Sequence, residues 1–199
     1  MRLPHSLRHV LIAGTATAVL VTGTGAAVAA PATPATAPHG RLLPVAELSA
    51  DRVLVADQVA AAKWGTDSPI EDPAREQQVL DAVAQQATEV GADPEATVRI
   101  FRDQIEASKV VQRGLYRRWD ADPSQAPTER PDLGKIRLEI NRINGELVRA
   151  IADAQPARQA RSCTGRLAAG AVVAGHEKRL DALHAVALAR SLPSVCERP

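Results

Sequence analysis

The 199-residue chain suits one domain plus an N-terminal address segment, and only 2% of its residues are aromatic, so its core must be aliphatic. Formal net charge is +1, and losing the first thirty residues with Arg2 and Arg8 turns it to −1. A near-neutral chain this poor in stacking side chains excludes a general nucleic-acid binder, so an anionic ligand must be held by a local arginine cluster.

Residues 1–30 read as a signal peptide. Arg2, His5, Arg8 and His9 form a weakly basic start, Val10 to Val21 an apolar run, and Ala27-Val28-Ala29-Ala30 suits cleavage after Ala29 or Ala30. An uncleaved membrane anchor is the alternative, disfavoured by the short apolar run and by Gly23 and Gly25. Pro31 to Pro38 mixes Pro, Ala and Thr and reads as an extended spacer, giving a linker over 31–44 and a folded domain over 45–199.

The domain reads as all-α, a single bundle of about six helices. Leu48, Val53, Val55, Val59 and Ala62 fall in a stretch free of Gly and Pro until Gly65, which predicts a first helix over about 45–64. Asp72-Pro73 supplies an N-cap with proline at the first helical position, and Gly91 stops that helix after Val90. Asp93-Pro94 repeats the device for a helix to about 119, with Val98, Phe101, Ile105, Ala107 and Val111 as its apolar positions. Pro123 and Pro127 mark a loop, Asp132 caps a fourth helix to about Ala154, and Pro156 breaks it. Two further helices are expected over 157–174 and 176–190. Cys163 and Cys196 suggest one disulfide in an exported chain, with two free thiols as the alternative. Such a loop of about 33 residues is worth ~3–4 kcal/mol. Neither a metal site nor a nucleotide motif is expected, since no CxxC, HExxH, GxGxxG or P-loop pattern occurs.

Several polar residues exceed what a structural bundle needs. Arg52 and Lys63 lie eleven residues apart, which brings both to one helix face about 16 Å apart along the axis. Ser108 and Gln112 are i,i+4 neighbours, Asp72 and Arg75 flank the start of the second helix, and Arg137 falls early in the fourth. Each has a plainer reading: a solvated arginine, a lysine favouring a helix C-terminus, an aspartate that only caps.

The order R-x10-K-W over Arg52 to Trp64, then P-I-E-D-x-x-R-E over Pro69 to Glu76, resembles the helical AroQ-type chorismate mutases. Phe101 to Gln112 continues the pattern, and Pro131-Asp132-Leu133 with Arg137 resembles the exported, gamma subclass, as does the Cys163/Cys196 pair. The resemblance covers about residues 45–198. It implies rearrangement of chorismate to prephenate with no cofactor, in a site built among helices of one chain. Arg52 and Arg137 are then expected to bind the two substrate carboxylates, with Ser108 adding a hydroxyl. Lys63 and Gln112 would donate to the ether oxygen, while Asp72 and Arg75 fix the substrate hydroxyl and the wall. Exported relatives are often dimers, so a homodimer is expected, without nucleic acid and without stable membrane insertion after cleavage. Two departures stand out: some exported relatives carry glutamate where Gln112 stands, and some carry glutamine where Val79 stands. The competing readings are a non-catalytic helical binding protein and a related lyase releasing pyruvate from isochorismate.

Overall fold

The computed structural model describes residues 40–197, so the expected signal peptide and most of the expected spacer lie outside the described residues. The order is α1 (Leu43–Lys63), α2 (Pro73–Glu89), α3 (Pro94–Ala121), a 3-10 turn (Pro123–Gln125), α4 (Leu133–Asp153), α5 (Gln155–Arg158), α6 (Cys163–Glu177) and α7 (Ala182–Arg190). There is no strand among the described residues, as an all-α reading requires. None of these helices is long and apolar enough to cross a membrane.

Helix α1 is the axis of the domain, packed against α3, α4, α6 and α7. Its sequence explains this position. Val45, Ala46, Ala50, Val53, Val55, Ala56, Val59, Ala60 and Ala62 spread buried apolar groups over roughly two-thirds of its circumference, and a helix with so wide an apolar face must be enclosed on most sides. It starts earlier than the expected 45. Leu42 is fully buried in the core and Leu43-Pro44 are helical, so these three residues belong to the fold.

The aspartate caps act as their sequence positions predict. The Asp72 carboxylate accepts the Arg75 N–H at 3.0 Å. Asp93 accepts from Glu95 and Ala96, and Asp132 accepts the Gly134 N–H at 2.7 Å. Helix α2 ends at Gly91, whose φ of 72° lets the Ala92 N–H return to the Ala87 carbonyl at 2.8 Å.

The C-terminal third departs from the expected pair of helices. Around Pro156 the chain forms the four-residue α5, and the next helix starts only at Cys163. The cause is Arg158, which is fully buried and fixes the tail from inside. Its Nε donates to the Val195 carbonyl at 2.9 Å, and its guanidinium pairs with Glu197 at 3.2 Å. The second break falls at 178–181 instead of 175. Arg179 takes φ 52°, and the Leu180 N–H bonds back to the Gly175 carbonyl at 2.9 Å, so an arginine ends α6 as a glycine would. Cys163 and Cys196 are joined, tying the first residue of α6 to the tail.

Candidate active site

Four segments deliver the polar residues singled out in the sequence. Helix α1 carries Arg52 and Lys63, the start of α2 carries Asp72 and Arg75, α3 carries Ser108 and Gln112, and α4 carries Arg137. All seven line one cavity of about 120 Å³. Val59, Ile70, Ile105, Leu133 and Ile140 supply its apolar walls. A small cluster outside the main core explains how Arg137 arrives. Ile136, backed by Leu133 and Ile140, packs on Val55, Val59 and Ala62 of α1, and this seam turns the first turns of α4 toward the site.

The end of the site holding Lys63 is held by aromatic side chains. Trp64 meets Tyr116 edge-on at 4.8 Å between centroids and Trp119 at 5.2 Å. Such pairs contribute about 0.5–1.5 kcal/mol each beyond their burial. They clamp the C-terminal end of α1 to α3, and so fix Lys63 relative to Gln112. The Tyr116 hydroxyl is buried without a partner, and burial raises its pKa. Phe101, the remaining aromatic side chain, lies under the Arg52 guanidinium at 5.4 Å. Trp64 and Phe101 stand within the matched motifs, but the sequence pattern assigns none of these rings a role in the site.

Charge is distributed unevenly in the cavity. Arg52 is only 7% exposed, and burial pushes its guanidinium down to about 10. Among the described residues no carboxylate stands at ion-pair distance from Arg52, Lys63, Arg75 or Arg137. Lys63 donates to the Pro69 carbonyl at 2.7 Å, which leaves two of its three N–H groups for a ligand. Burial lowers its pKa against the opposing field of Asp72, and Arg137 lowers it further. The Gln112 amide donates to the Ser108 hydroxyl at 3.1 Å, while its own carbonyl oxygen is buried without a partner. Arg75 stands at the wall, where its Nη1 donates to Gln78 at 3.1 Å.

Two lining residues had no role assigned from the sequence. Lys109, 8% exposed, bridges Glu76 at 3.1 Å and Glu106 at 2.6 Å. Burial works to lower its pKa, but hydrogen bonds to Glu106 and Glu76 outweigh it and hold the ammonium above its ordinary value. Glu76 stood inside the matched motif and Lys109 beside Ser108, so position was the available signal. The cavity therefore presents four unpaired cations and one neutralised one. Such a site suits a small ligand with more than one negative charge.

The comparisons agree with this chemistry. The family model for chorismate mutase type II matches residues 45–113, which contain six of the seven site residues. The chain is 34% identical over 155 residues to a secreted chorismate mutase of Mycolicibacterium smegmatis, covering 78% of this chain and 86% of the relative. It belongs to the chorismate mutase family. A secreted chorismate mutase of Mycobacterium tuberculosis is 33% identical, with 79% of each chain covered. The crystal structure of chorismate mutase from Burkholderia phymatum superposes with a TM-score of 0.76 at 34% identity, over 81% of this chain and 99% of that one. This mutase is thus an exported isomerase with the all-helical family fold.

Proposed function

We propose that the cavity binds chorismate as a dianion and rearranges it to prephenate. The observation that carries the reading is convergence: Arg52, Lys63, Asp72, Arg75, Ser108, Gln112 and Arg137 come from four helices and line one cavity. The reaction is an intramolecular bond exchange, one C–O bond breaking as one C–C bond forms. It needs no proton acceptor, so the protein has two tasks: to hold the folded conformer and to stabilise charge at the ether oxygen.

Arg52 and Arg137 take one carboxylate each, and the Ser108 hydroxyl donates to a carboxylate as well. Lys63 offers its two free N–H groups to the ether oxygen from one side and the Gln112 amide from the other. Both donors are tethered before substrate arrives, Lys63 by Pro69 and Gln112 by Ser108, so little reorganisation is needed. Asp72 accepts from the substrate hydroxyl with the oxygen not used in capping α2, and Arg75 closes the wall. Val79 leaves an apolar patch next to Arg75, which weakens substrate affinity more than it slows the chemical step.

The test is product analysis with purified protein. Prephenate from chorismate supports the reading. Pyruvate release from isochorismate without prephenate formation overturns it in favour of a lyase, and binding without turnover in favour of a non-catalytic protein. A homodimer is the proposed assembly, and a monomeric mass by light scattering at working concentration would refute it.

A further inference from the structure

The site's most deeply buried charge has an uncharged partner. Arg52 Nη1 donates to Asn144 Oδ1 on α4, and Asn144 is itself only 3% exposed. The other face of the guanidinium lies over Phe101, and its Nε has no partner. A second small cavity, about 190 Å³, opens behind Asn144, and its polar lining is Gln78, Gln86, Asn141 and Arg75. Asn144 is the side-chain acceptor that meets Arg52 among the described residues, and the lining of the cavity behind it holds no carboxylate. An arginine this buried is normally matched by a carboxylate, because an uncompensated charge in a protein interior is costly.

We propose that Asn144 is a positioning residue for the mutase reaction, an uncharged acceptor that orients Arg52 while leaving its full charge for a substrate carboxylate. A carboxylate at position 144 would orient the guanidinium equally well but would neutralise it and compete with the ligand. The chain thus gives up stability in the empty site for affinity in the filled one, a trade common at binding sites. This rests on the assignment of Arg52 to a substrate carboxylate, proposed above.

The physical signature is a pair of effects with opposite sign. Asn144→Asp creates a buried ion pair with Arg52, so its melting temperature is expected to equal or exceed the parent's. Its KM for chorismate is expected to rise at least tenfold, with kcat changed less, and prephenate binding measured by calorimetry to weaken in parallel. A merely structural asparagine would lose stability on this change and keep KM. Asn144→Asp with KM within twofold of the parent overturns the proposal. Asn144→Leu keeps the branched shape of the side chain and removes the acceptor. It carries the test alone if the aspartate variant does not fold, and an unchanged KM overturns the proposal there too. Arg52→Ala separates the two layers. If it leaves KM and prephenate binding unchanged, the carboxylate assignment fails. If it abolishes binding while Asn144→Asp behaves as the parent, the role of Asn144 alone fails.

Discussion

A wide apolar cavity of this mutase and its candidate active site lie in different parts of the fold. Between α6, α7 and the tail opens a space of about 560 Å³ walled by Leu167, Ala171, Leu180, Leu188 and Leu192, with no charged side chain in its lining. The site among α1–α4 offers about 120 Å³ and gathers four cations with no ion-pair partner. Volume alone would point away from the candidate site. What sets the candidate site apart is positive charge left unpaired, the buried Arg52 included, which stability alone does not favour. The α6–α7 end shows the opposite habit: its buried Arg158 forms an ion pair with Glu197 and donates to the Val195 carbonyl and to Gln155. One region leaves its cations without ion-pair partners, and the other uses its polar groups to hold the chain.

Changes at the two ends should therefore separate activity from stability. The largest effect belongs to Lys63→Ala, which should lower turnover by about two to three powers of ten, the usual cost of one transition-state donor. Its melting temperature should barely move, because Lys63 is bonded only to the Pro69 carbonyl in the empty site. Turnover near the parent's level in a steady-state assay would remove Lys63 from the chemistry.

Replacing both Cys163 and Cys196 by Ser should do the reverse. Opening a loop with a sequence separation of 33 costs ~3–4 kcal/mol of stability by the chain-entropy estimate. KM and kcat, measured well below the lowered melting temperature, should stay at the parent values. A large change in either would show that the clip also shapes the site.

A smaller effect belongs to His184, which links the two regions. Its ring bonds Asp57 of α1 at 2.8 Å and Asp181, the cap of α7, at 2.6 Å. Arg118 of α3 also approaches Asp181, at 3.6 Å. Burial disfavours the imidazolium, but the two carboxylates outweigh it and raise the histidine pKa. A raised folded-state value means the imidazolium stabilises the fold fully below the unfolded pKa of about 6.5. That contribution is lost as pH rises through the higher folded value. Melting temperature followed upward from pH 6 should fall more steeply for the parent than for His184→Gln. Parallel curves would show that the clamp carries no charge-dependent stability.

The smallest expected effect is an absence of change. Gln112, the proposed donor to the ether oxygen, is an amide that donates whatever the pH, so kcat should be nearly flat between about pH 5 and 8. Gln112→Glu should restore a pH dependence, with activity retained at the acid end where the carboxyl is protonated. A steep loss for the parent across that range, with the fold intact, would remove Gln112 as the donor.

Much of the fold was legible in the sequence because its signals are local. Asp72-Pro73 and Asp93-Pro94 each place a cap and a proline where a helix must begin, and both helices begin there. Gly91 takes the left-handed conformation its position suggested. The end of α6 was less legible, because Arg179 performs a glycine's task under the constraint of packing. The short α5 was hidden for a similar reason: Arg158 reads as a surface residue until the tail folds over it.

The sequence by itself determined which side chains can share a helix face: Arg52 with Lys63, and Ser108 with Gln112. That follows from helical periodicity and holds before any packing occurs. It also determined, through its matched motif, that these faces belong to a chorismate mutase. Only the tertiary structure decided which faces meet. It brought Arg137 to α1 through the Ile136 seam, neutralised Lys109 between Glu76 and Glu106, and gave Arg52 an amide in place of an acid. Periodicity fixes direction along one helix, but the partner of a buried charge is set by packing between helices distant in the chain.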